Sequence, residues 1–154
     1  MKFKFTTYSF VNALLSLIPI FPVWLVIPGV LAAMGIEKMG GSCEQSYIIV
    51  FWFCVSLSLI LMVNYLISLP KLILKKTEKD IKFHFRIFNL LMYTLINTAL
   101  MIKILGIYYC CHGDGQSILV VMFSGPITSV ILIVIGFIID FTNFRQSRRV
   151  LDSE

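Results

Sequence analysis

Charge is what this sequence has least of. Only 14% of its residues are Asp, Glu, Lys or Arg, against ~25% in soluble domains, and only 8 of the 154 are acidic. The few charges are also segregated, because residues 5–36, 45–70, 87–102 and 115–139 contain none. A charged side chain at a bilayer centre costs roughly 2.5–3.5 kcal/mol even on lenient insertion scales. A soluble chain has no reason to keep its charges apart in this way, so an ordinary soluble fold is excluded. Other absences narrow the function. There is no internal repeat, no low-complexity segment, no Cys-x-x-Cys pair and no carboxylate deep in an apolar run. No catalytic constellation is legible, so a non-enzyme without cofactor or metal is expected.

What is present is apolar: 58% of residues are hydrophobic and the mean hydropathy is +0.92. A membrane span needs about 20 such residues. Four spans with short loops use nearly the whole chain. We therefore predict an all-α polytopic membrane protein with four transmembrane helices, built as a single membrane domain over 1–154. The spans are expected at about 8–36, 46–69, 87–109 and 117–139. The first apolar run exceeds the roughly 7–15 residues of a signal-peptide core, so it is expected to stay as a span.

Cytoplasmic loops of membrane proteins carry excess Lys and Arg. Here Lys2 and Lys4, then Lys71, Lys75, Lys76, Lys79, Lys82 and Arg86, then Arg145, Arg148 and Arg149 fall on one side of a four-span protein. The other side has only Lys38 and Lys103. Both termini and the loop 70–86 are therefore expected in the cytoplasm, with the chain in the inner (plasma) membrane. The net charge of +5 has this topological origin and does not point to nucleic acid.

Polar side chains within the spans are expensive and few. Span one holds Pro19, Pro22 and Pro28; each removes a backbone donor, so the helix is expected to be kinked or broken. Span two has Asn64 and Ser68 one turn apart, and Cys54 and Ser58 at small-xxx-small spacing. In span three, Arg86, Asn89, Tyr93 and Asn97 fall within an arc of about 80° at ~100° per residue, with Lys103 near its edge. The expected role of Asn89 and Asn97 is to join span three to span two or four by interhelical hydrogen bonds; the alternative is a partner surface or polar pathway. Lys103 lies ~24 Å along the helix from Ile87, close enough to the outer interface for its stem to reach water. Ser124-Gly125-Pro126 is expected to bend span four, and Asp140 to sit at the inner interface.

Residues 70–86 read as a basic amphipathic helix starting at Pro70. Lys71, Lys75, Lys79, Lys82 and Arg86 share one face, and Ile73, Leu74, Ile81, Phe85 and Phe88 the other. Such a helix would lie in the interface on anionic lipids, with a bend near His84 before span three.

Cys43, Cys110 and Cys111 are placed outside, where the compartment is oxidising and a bridge from Cys43 to Cys110 or Cys111 is expected. Cys110, Cys111, His112 and Asp114 fit a zinc site poorly, since paired ligands are usually two to four residues apart.

Three function classes remain. The first is a non-catalytic protein that binds a partner inside the membrane, a membrane protein or toxin; a homo-oligomer is compatible with it. In size and topology alone, the chain is similar to bacterial immunity proteins against pore-forming toxins and to plasmid entry-exclusion proteins. No motif carries that likeness, so no residue role transfers. The alternative is a channel or transporter subunit lined by Asn64, Asn89 and Asn97, although a coupled carrier usually needs a buried carboxylate. A membrane thiol oxidoreductase is disfavoured, because the reaction needs a second, resolving thiolate in Cys-x-x-Cys.

Overall fold

The computed structural model describes residues 4–15, 23–75, 77–111 and 116–151. They form five α-helices: α1 (Phe5–Leu15), α2 (Val23–Lys38), α3 (Cys43–Lys75), α4 (Glu78–Cys111) and α5 (Gln116–Leu151). Stretches of α3, α4 and α5 are long and apolar enough to cross a membrane: Cys43–Ile73, Lys79–Cys110 and Phe123–Thr142.

Local chemistry sets the helix ends. At the end of α2, Gly40 has φ 102°, a conformation open to glycine at little cost. It allows Gly41 N–H to reach Ile36 O at 3.2 Å and Gly40 N–H to reach Glu37 O at 3.0 Å, the paired bonds of a Schellman cap. Ser42 then opens α3, its Oγ accepting from Gln45 N–H at 3.3 Å. Thr77 opens α4, its hydroxyl donating to Asp80 Oδ2 at 2.8 Å while lying 3.4 Å from Asp80 N–H. These are N-cap roles.

The described residues of the expected first span fall in α1 and α2. Pro19 and Pro22 lie outside the described residues, and Pro28 is carried inside α2. The two halves pack differently. α1 lies against α5 and α4, whereas α2 lies against α3 and α4. α4 is central and touches each of the other four helices.

Close approach is bought with small residues. A Cβ on Gly136 of α5 would fall 2.9 Å from Ser9 Cβ and 3.1 Å from Thr6 Cα, so only glycine lets α1 lie this near. Gly106 of α4 does the same under Tyr47, whose Cβ would be 2.6 Å away.

Two buried clusters result. One, at the lysine-rich end, joins Phe5, Tyr65, Leu69, Ile81, Phe85, Phe88, Met92, Tyr93, Leu132, Ile135 and Ile139. The other, at the opposite end, joins Ala33, Tyr47, Val50, Cys54, Ala99 and Ile102. The Cys43–Cys110 disulfide (Cα–Cα 5.7 Å) closes that second end.

The segment 70–86 departs from expectation. α3 continues through Pro70 to Lys75, and α4 runs as one helix from Glu78 through His84. The apolar side of this segment is spent on the bundle: Ile81, Phe85 and Phe88 are buried with Leu69, and Ile73 packs against them. Lipid and protein both take such side chains out of water, and the bundle adds close packing with Phe5, Tyr65 and Met92. Pro70 removes one backbone bond in the last turns of α3.

Candidate functional site

The polar arc of α4 turns inward. Asn89, Tyr93 and Asn97 are buried at 1%, 5% and 0% exposure, while Arg86 at the same arc's end is exposed. Asn89 Nδ2 donates to Ser9 Oγ of α1 at 3.4 Å, the long end of hydrogen bonding. Asn97 Nδ2 donates to Tyr93 OH on its own helix at 3.1 Å. So the expected joint to span two or four is replaced by one to α1. Spacing along α4 could not reveal it, because a period shows which residues share a face and not which helix lies across it.

Among the described residues, Asn89 Oδ1 and Asn97 Oδ1 of the arc, Thr98 Oγ1 beside it and Tyr65 OH of α3 are buried without a hydrogen-bond partner. An unsatisfied buried polar group costs about 1–3 kcal/mol, so these atoms are a cost the fold sustains.

Asp140, expected at the inner interface, caps a remote helix. Its Oδ1 accepts from Phe5 N–H and its Oδ2 from Thr6 N–H, both at 2.8 Å, and the Thr6 hydroxyl also donates to Oδ2. These are the orphan donors of the α1 N-terminus, where helix dipole and carboxylate attract. Farther along, Ser129 Oγ of α5 donates to Ala13 O at 3.0 Å. Together these bonds hold α1 antiparallel on α5.

Asn64 stands apart from the other asparagines. The antiparallel pairs Cys43–Cys110 and Tyr65–Phe88 (rings stacked at 4.0 Å) put it level with Asn89. It is nevertheless exposed, on the outer side of α3. Beside it an open groove of about 240 Å³ runs between α3 and α4. Its walls are apolar (Leu61, Leu72, Ile87, Phe88, Leu91), and its polar side chains are Asn64, Tyr65, Ser68 and His84. Tyr65 was not picked out as a site residue in the sequence, and nothing in its spacing marks it. His84 is half-buried, and its Nδ1 sits 2.8 Å from Asp80 O.

The remaining candidates scatter. Lys71 and Lys79 are exposed and Lys82 is half-buried; the Lys75 side chain lies outside the described residues. Lys82 and Arg86 each place their charge 5.8 Å from the Tyr8 ring, within cation–π range. Lys103 is half-buried on α4. Of the three outer cysteines the structure joins Cys43 and Cys110; the Cys111 side chain, His112 and Asp114 lie outside the described residues. Cys54 is a buried free thiol, and with Ser58 (8% and 5% exposed) it faces the bundle.

Searches for relatives return no matching family model, no similar curated protein and no similar solved structure.

Proposed function

We propose that this protein is a four-span inner-membrane protein that acts without catalysis, by binding a partner within the membrane through its α3–α4 face. The observation that carries this is Asn64, an amide on an otherwise apolar outer surface beside a groove that also presents Ser68 and His84. In hydrocarbon an unpaired amide is costly, so a face that keeps one favours a polar partner over lipid. Of the polar candidates, Asn89, Tyr93 and Asn97 are buried in the interior, and Asn64 with the groove is left to serve the partner.

The span count rests on α1 and α2 acting as two half-helices of one crossing. α1 begins at Asp140 and α2 ends in the cluster beside Cys43 and Cys110, so residues 5–38 travel from one end of the bundle to the other. Orientation rests on the Lys and Arg excess at the Asp140 end and on the disulfide at the other, which suits an oxidising exterior. Lys71, Lys75, Lys79 and Lys82 then meet anionic headgroups. Immunity to a pore-forming toxin, or exclusion of plasmid entry, is the most concrete form of this reading.

A photo-reactive residue at Leu91, exposed on the groove wall, tests it in native membranes. A specific membrane protein or toxin in the adduct is expected. Adducts with lipid alone would sink the reading.

A channel or transporter subunit is the second reading, favoured by the unpartnered Asn89, Asn97 and Thr98 oxygens inside the bundle. It predicts that water or a solute pairs with them. Asn97→Leu then lowers flux, and an unsubstituted protein that carries no flux would remove this reading.

A further inference from the structure

The outer side of α3 carries a regular seam. Phe53, Leu57, Ile60, Asn64, Ile67 and Lys71 follow one another at steps of four, three, four, three and four residues. At ~100° per residue they occupy an arc of about 80°, roughly opposite the face that buries Cys54, Ser58, Tyr65 and Leu69. All six are exposed; Phe53, Ile60 and Ile67 reach 66%, 57% and 64%. The spacing is that of the a and d positions of a coiled coil, with Phe53, Ile60 and Ile67 at d and Leu57, Asn64 and Lys71 at a.

We propose that this seam is covered by a second copy of the chain, forming a parallel two-fold dimer in which Asn64 pairs with Asn64 of the other copy. Three observations select that occupant. Copies inserted in one orientation are related by an axis along the membrane normal, so each residue of α3 meets its counterpart at the same depth. An amide carries both donors and an acceptor and therefore satisfies itself across that axis; a foreign helix would need a polar side chain at the same depth. A single Asn at an a position is also a device that sets register and oligomeric state. Left-handed crossings of about 20° are the common geometry of membrane helices. Lys71 meets its counterpart toward the end of the helix, where its stem can carry the ammonium to water. The inference rests on the membrane placement of α3 in the reading above and gives Asn64 to the second copy, which leaves a foreign partner Ser68, His84 and the α4 wall of the groove.

The test uses the full chain in native membranes, with a photo-reactive residue at Ile67 or, as control, at the exposed Phe137 of α5. Expected is an adduct of twice the 17.6 kDa chain mass from Ile67 and not from Phe137. Asn64→Leu should cut its yield by about three- to fifteen-fold, the span of measured hydrogen-bond effects between membrane helices. Asn64→Gln should retain most of it. Retention of the Cys43–Cys110 bond in each variant reports folding. Equal yields at both positions, an unchanged yield in Asn64→Leu, or an Ile67 adduct only with a different protein would overturn the dimer. A membrane-bound chain lacking the adduct would sink the dimer alone; a chain in the soluble fraction would sink the membrane reading itself.

Discussion

Asp140 shows how a single side chain acquires a role from a distant segment. Its two oxygens take the first two amide protons of α1, 135 and 134 residues earlier in the chain. Asp140→Ala removes every one of these acceptors and leaves two helix-end donors unpaired. We expect a loss of about 1–3 kcal/mol in detergent unfolding, with Asp140→Asn losing less because one oxygen remains. Unchanged stability in the alanine variant would remove the capping role. The asparagines behave differently from one another for the same reason of context. Asn64, Asn89 and Asn97 are alike in sequence, as isolated amides in apolar runs. Spacing placed Asn89 and Asn97 on one face of α4, and they are indeed buried together. It could not say which neighbour they meet, nor that Asn64 points outward, because both depend on how α3 is rotated in the bundle.

At the scale of elements, the helix ends were partly legible and the packing was not. Pro19, Pro22 and Pro28 imply a kinked or broken first span; Pro28 is carried inside α2, and Pro19 and Pro22 lie outside the described residues. That α1 and α2 settle on different neighbours is invisible in the sequence, since it depends on Gly136 admitting α1 and on Gly29 of α2 fitting against Ile102. This gives a paired prediction. Gly136→Ala should push α1 off α5 and cost about 1–3 kcal/mol through overpacking against Ser9 and the Thr6 backbone. Gly35→Ala, with nothing within 4 Å of the added Cβ, should be neutral or gain up to about 1 kcal/mol from helix propensity. Side-by-side unfolding of the two variants checks it; equal losses would mean that α1 has room to shift. The basic segment was misread for a physical reason. Its amphipathic pattern is the same whether the apolar side faces lipid or protein, and here Ile81 and Phe85 face protein.

Across the whole molecule, one covalent link ties the end remote from the lysines. Cys43 and Cys110 are 67 residues apart, so opening the bond frees a long loop in the unfolded chain. Chain-entropy reasoning puts the loss for Cys43→Ser at ~4 kcal/mol. Parallel unfolding of wild type with and without reductant, and of the variant without it, should show the variant matching the reduced protein; a variant as stable as the oxidised protein would mean that the bond adds nothing. What the sequence determined alone is the solvent: segregated charges and long apolar runs dictate helices, because only internally bonded backbone survives in lipid. It also narrowed the bridging cysteines to one with two alternatives, and put the costly amides on a short list. The tertiary structure decided which cysteine of an adjacent pair is used, which asparagine is hidden and which shown, and that Asp140 caps α1. Each of these is a contact between segments far apart in sequence. Local pattern fixes which face of a helix is polar, but only packing fixes where that face points.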